Sequence, residues 1–202
     1  QLVSKAHLEG FYYRPRIDDS LLEEHGEGLV VLSGCPSAQI PRLLVAGRLD
    51  EAEARAKWYK ELFEGRFFLE IQEHSHIPEL PIINKGLIQL SRSLEIPIVA
   101  TNDTHYTRRE EASLQDIRIC IHTNTTIHDE TRLKMDDDSF YLKSPLEMNE
   151  LFRELPEALA NTQLIADMCS TTLAFGELHV PSYPLPDGEN PDDFLSSLCW
   201  AG

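Results

Sequence analysis

The chain has 202 residues, 34 acidic and 18 basic, and a formal charge of −16; this acidic balance excludes a general polyanion-binding surface and confines any nucleic-acid contact to a local patch. No apolar run approaches the roughly 20 residues of a membrane span, no signal-peptide pattern opens the chain, and the length suits one domain or one and a part. The four cysteines, Cys35, Cys120, Cys169 and Cys199, are widely spaced without a CxxC pair; neither a zinc ribbon nor a disulfide framework is indicated, and a reducing cytoplasm is expected.

Residues 2–7 read as the middle of a helix and Gln1 is not a Met, so the chain is expected to begin inside a larger protein. An aromatic and basic stretch follows, with Tyr12, Tyr13, Arg14 and Arg16; on so acidic a chain a turn between elements is preferred over a nucleic-acid patch. Asp18 or Asp19 caps a helix over 20–25, which Gly26 and Gly28 end. Residues 29–35 form a continuous apolar strand that stops at a small-residue turn carrying Cys35.

Helices are predicted over 38–46 and 49–63, the second with Ala52, Ala56, Tyr59 and Phe63 on one face. A strand over 66–72 ends at Glu73, His74 and His76. A third helix, 78–94, presents Leu80, Ile83, Leu87 and Leu90 as a stripe. It leads into the strand from Ile96 to Ala100, beyond which Asn102, Asp103 and His105 emerge. Asp103 and His105 are two apart, so in extended geometry they share one face and suit one hard or borderline cation. The alternative is an Asp capping the next helix beside a surface His.

The order strand, helix, strand, helix, strand implies parallel strands with right-handed crossovers. Each strand ends at a possible metal ligand: Cys35, the Glu73–His74 pair, and Asp103 with His105. Neighbouring strands of a barrel would converge these ends on one mouth, the usual place of barrel catalysis.

Farther on, 108–122 is a helix with Ala112, Ile117 and Ile121 expected to face inward. Residues 123–138 are loop, with Asp136, Asp137 and Asp138 read as solvated. Residues 139–143 form a short extended piece, and Ser144, Pro145 and Glu147 start a capped helix. Residues 156–168 form another helix, prolines then dominate, and a last helix covers 191–200. A domain boundary is expected at 160–175. Cys120 and Cys169 are assigned to core packing; Cys199 is either core or surface. His25, His122, His128 and His179 receive no role.

The runs AHLEGFYYRPRID, LSGC, FFLEIQEHSHIPE, VATNDTHY, FYLKSPLEM and LAFGELHVP followed by LCWAG resemble the alpha subunits of bacterial DNA polymerase III. The likeness covers nearly the whole chain: the later portion of the polymerase and histidinol phosphatase (PHP) domain, then the start of the palm. It implies an α/β fold, a partial PHP-type distorted (β/α)7 barrel with only its later strands, over 1–165. A mostly helical connection to the palm follows over 166–202. It implies a Cys ligand after the apolar strand and an Asp-x-His pair, matched by Cys35, Asp103 and His105. Here His74, His76 and Asn102 stand as neighbours of that site, and the family's early ligands, a His-x-His pair and a Glu, are expected before Gln1.

The implied cofactors are zinc or manganese at the PHP site of the full-length protein, with magnesium at a polymerase site outside this chain. The implied function is DNA-directed DNA synthesis by the parent subunit, with 3′–5′ exonuclease proofreading at the PHP site, and an inactive fragment. The implied partners are primer-template DNA, deoxynucleotides, the sliding clamp and a proofreading subunit, with no membrane. Two alternatives remain. One is a degenerate PHP domain acting as a structural and docking module. The other is a stand-alone PHP phosphatase, disfavoured by the continuation past the Asp-x-His strand.

Overall fold

Three strands, β1 (Val31–Leu32), β2 (Phe67–Ile71) and β3 (Ile98–Ala100), make a parallel sheet in the order β1-β2-β3. The computed structural model describes the chain except Ser75, Asp136, His179, Ser182 and Asp187. It forms two compact units, Gln1–Cys169 and Ser170–Gly202. In the first, β2 is the central strand, and Phe67, Phe68, Leu69 and Ile71 are buried on both of its faces, as a parallel strand covered by helices must be. Val31 lies opposite Phe67 and Leu69 opposite Ile98, so all three strands point the same way and their carboxyl ends share one edge of the sheet.

The apolar run expected as a strand over 29–35 is paired only at two residues. The Val31 amide donates to the Arg66 carbonyl and the Ser33 amide to the Phe68 carbonyl. Residues before Val31 precede the start of β2 and have no ladder to join, which leaves Leu29 exposed.

Helices α1 (Leu2–Leu8) and α2 (Asp19–His25) precede the sheet; α3 (Gln39–Val45) and α4 (Leu49–Leu62) join β1 to β2, and α5 (Leu80–Leu94) joins β2 to β3. Small residues let these helices approach. Ala52 and Ala56 of α4, four apart on one face, are wholly buried. At Gly86 of α5 a methyl group would stand 2.8 Å from Leu44 Cδ2 of α3, closer than packed carbons allow. On α5 the stripe Leu80, Ile83, Leu87 and Leu90 is buried as its spacing predicts. Arg55 of α4 donates to both oxygens of Asp19 at 2.5 and 2.6 Å and lies over the Trp58 and Tyr59 rings, tying α2 to α4. Around residues 11–18 the side chains are exposed, Tyr12 bridges to Arg14 and Tyr13 adopts φ 58°, which is turn geometry.

After β3 come a 3-10 turn (Arg109–Glu111), α6 (Ala112–Thr123), α7 (Pro145–Leu151) and α8 (Pro156–Met168). Ser144 and Glu147 form a capping box at the start of α7. Helix α8 packs on β3 through Ala158, and Asn161 Nδ2 donates to the Ile98 carbonyl at 2.7 Å. The second unit holds α9 (Pro191–Ala201), capped by the Asn190 side chain on the amides of Asp192 and Asp193. Among the described residues no helix is long and apolar enough to cross a membrane.

Three expectations are corrected. On α6 it is Cys120 that is buried, whereas Ile117 is 46% and Ile121 76% exposed. Apolar residues stand on more than one side of this helix, so periodicity alone did not choose the inward one. Cys169 is exposed rather than core, because it is the residue that caps the end of α8. Asp137 is not a solvated loop residue: its side chain is 6% exposed, accepts from the Ser139 amide at 2.7 Å and meets His76 at 3.2 Å. Asp136 of the same run, and His179, lie outside the described residues.

Candidate functional site

The strand ends carry the polar residues. Beyond β1 the chain turns at Gly34, where φ is 85° and a methyl group would meet Ala38 Cβ at 2.8 Å, so glycine alone suits the turn that presents Cys35. Cys35 is half-buried, with Sγ 3.1 Å from Ser37 Oγ. Beyond β3, Asp103 Oδ1 stands 3.2 Å from His105 Nε2, both side chains partly open to water. The expected pairing of these two is therefore present. The His105 amide donates to the Phe140 carbonyl at 2.8 Å and its ring lies edge-on to Phe140.

Strand β2 separates the ends of β1 and β3, and two strand spacings amount to about 10 Å. Among the described residues no three His, Cys, Asp or Glu side chains gather as a metal-holding group. Asp103 and His105 thus fit two positions in a cation's shell without filling it, and Cys35 does not join them in a group of three.

His74 and His76 part company. His76 lies at the surface against Asp137. His74 is 4% exposed, stacked on Phe140 at 4.2 Å, with Nδ1 2.7 Å from Ser139 Oγ; its Nε2 is covered and has no partner among the described residues. Burial lowers the His74 pKa, and the Lys143 ammonium adds to this, against an opposing pull from Asp103 and Asp137; the ring is held neutral. For Asp137, burial raises the pKa, but hydrogen bonds from the hydroxyl and amide of Ser139 and from His76 outweigh it and hold the carboxyl below its usual range. Burial raises Glu73, with Lys143 acting against it.

Asn102 binds across to the 139–143 segment. Its Nδ2 donates to the Tyr141 carbonyl at 2.7 Å and its Oδ1 accepts from Lys143 Nζ at 2.9 Å. Lys143 also donates to the Ser139 carbonyl, and burial lowers its pKa. The Leu142 amide donates to the Tyr106 carbonyl at 3.1 Å, so the segment runs alongside 104–106. Ser139, Phe140 and Lys143 thereby become part of the site although the sequence reading left them in a short extended piece. Ser139 meets His74 65 residues away and Lys143 meets Asn102 41 residues away, so no local pattern marks them.

Residues 1–74 match the model of the PHP domain, a stretch that includes β1, β2, Cys35 and His74. The chain is 45% identical over 194 residues to DNA polymerase III subunit alpha of Borreliella burgdorferi, across 96% of this chain and 16% of that protein. It is 40% identical over 208 residues to DNA polymerase III subunit alpha of Thermus aquaticus, across 100% of this chain and 17% of that protein. A similar likeness, 38% over 189 residues, joins it to an error-prone DNA polymerase of Symbiobacterium thermophilum, across 94% of this chain and 17% of that protein. The chain spans 16% to 17% of the length of these relatives. Over residues 1–74 it is similar to the PHP domain, and over nearly its whole length it is similar to one segment of the DNA polymerase III alpha subunits.

Proposed function

We propose that this chain is part of the catalytic alpha subunit of a bacterial replicative DNA polymerase, which extends a primer on template DNA from deoxynucleotides. The nucleotidyl-transfer site and its magnesium ions belong to other parts of that subunit, and the present chain by itself is idle. Its three strands are the later strands of a PHP-type barrel, and residues 166–202 lead toward the palm. The sliding clamp and a proofreading subunit are partners of the whole assembly in the cytoplasm.

The observation that carries the site reading is the Asp103–His105 pair at the end of β3. A carboxylate and an imidazole 3.2 Å apart suit zinc or manganese, and donors from other parts of the subunit would complete the shell, Cys35 standing apart at the end of β1. Such a metal, when bound, supplies Lewis acidity and a water of lowered pKa for cleaving a 3′-terminal phosphodiester. This chain's own part is to hold the pair: the Phe140 carbonyl fixes the His105 backbone, and Asn102, the residue before Asp103, is anchored to the Tyr141 carbonyl.

A second reading is a structural and docking PHP module. It draws on the same contact, since Asp103 and His105 also satisfy each other without a metal. Elemental analysis of the intact subunit separates the two: Asp103→Ala and His105→Ala are expected to lower zinc or manganese content with the fold retained. Unchanged content in both variants removes the ligand assignment and leaves the structural reading.

A further inference from the structure

Lys143 is a part-buried cation that no carboxylate touches among the described residues. Its ammonium is held by two neutral oxygens, Asn102 Oδ1 at 2.9 Å and the Ser139 carbonyl, and it makes no ion pair among the described residues. Neutral acceptors satisfy N–H groups but do not balance the charge, and a desolvated charge favours an anionic partner. On a chain with 34 acidic residues a carboxylate would be easy to supply. Glu73, Asp137 and Glu147 all lie within electrostatic reach of the ammonium, yet none touches it. Among the described residues two of its three N–H groups are spent, which leaves one for a ligand.

The surroundings define that ligand. Asn102 holds the ammonium beside the residue that begins the Asp103–His105 pair. The Tyr141 ring has Lys143 Nζ 5.0 Å and Arg109 Cζ 5.1 Å from its centroid. Asp138 stands 3.7 Å from Arg109 Nε, beyond hydrogen-bond length, so among the described residues this second cation retains donors. Two cations grouped about an aromatic ring are the elements with which proteins hold a single strand, the cations on its phosphates and the ring on a base.

We propose that Lys143, with Arg109 as second cation, anchors a backbone phosphate of a single nucleic-acid strand at the strand-end mouth. The proposal rests on the reading above that this mouth handles phosphodiesters, and it assigns the binding of the strand to residues outside the metal-ligand set.

The test uses the intact subunit with inorganic phosphate as probe, followed by 31P line width, and a short single-stranded dT oligonucleotide as competitor. Lys143→Gln removes the charge while keeping a side-chain donor, and is expected to weaken phosphate binding about tenfold or more, the usual scale of a charged hydrogen bond. Lys143→Arg is expected to retain most of the binding, and metal content to be the same in all three proteins. Displacement of phosphate by the oligonucleotide supports a strand as the source; phosphate binding that the oligonucleotide leaves untouched overturns that assignment. Unchanged phosphate binding in Lys143→Gln overturns the proposal, as does an equal loss in Lys143→Gln and Lys143→Arg, which marks a lysine that only braces the fold. Failure of the metal reading registers separately, as full metal content in both Asp103→Ala and His105→Ala, and the phosphate comparison still decides the role of Lys143.

Discussion

Asn102→Ala tests whether one side chain holds the 139–143 segment against the end of β3. The substitution removes a neutral hydrogen bond to the Tyr141 carbonyl at 2.7 Å and a charge-assisted one from Lys143 at 2.9 Å. A neutral bond contributes about 1 kcal/mol and one to a charged group about 1.5–3 kcal/mol. Both sites are only partly buried, and Lys143 keeps the Ser139 carbonyl, so water offsets part of the loss; the net cost is about 2 kcal/mol. That corresponds to roughly a 30-fold rise in local opening. Native-state hydrogen exchange reads it directly at the amides of His105 and Leu142, which donate to Phe140 and Tyr106 across this junction. Asn102→Asp keeps an oxygen for Lys143 but loses the donor to Tyr141, and should fall between wild type and Ala. Protection of both amides unchanged by Asn102→Ala would refute the stapling role and place the hold on the segment in its backbone bonds alone.

Two further substitutions probe the core and the buried histidine. Leu87, 0% exposed on α5, sits in the main apolar cluster; Leu87→Ala should cost about 3 kcal/mol by denaturant midpoint, whereas Ile82→Ala on the exposed side of the same helix should cost little, and equal costs would contradict the assigned face. The folded pKa of His74 lies below the ordinary histidine value of 6.5. The unfolded chain therefore binds more protons between the folded pKa and 6.5, and stability is complete above that window and lost as pH falls through it. His74→Asn retains a donor for Ser139 without the titrating ring. Melting followed across mildly acidic pH should show a shallower loss of stability in this variant, and an identical pH slope would rule out His74 as its source.

Local chemistry made much of the first unit legible. The stripe on α5 follows from helical periodicity, the stop at Gly34 from the need for positive φ, and the capping box at Ser144 from residue types three apart. The closeness of Asp103 and His105 was expected from their spacing of two just beyond β3, and the two side chains do meet at 3.2 Å. Where apolar residues line more than one side of a helix, as on α6, the sequence leaves the buried side open, and packing chose Cys120 over Ile117 and Ile121.

The sequence by itself determined which residues end the strands and that Asp103 and His105 are neighbours, but it also drew Cys35 to them, and among the described residues Cys35 does not join them in a group of three. Only the tertiary structure decided what surrounds that pair. His74 turned inward onto Ser139 and Phe140 while His76, two residues on, went to the surface beside Asp137. Asn102 reached a carbonyl and an ammonium some 40 residues ahead. The physical reason is range. Helix caps, turns and strand alternation are set by neighbours within a few residues, whereas the burial of a ring or the pairing of a cation depends on which distant segment the fold lays against it.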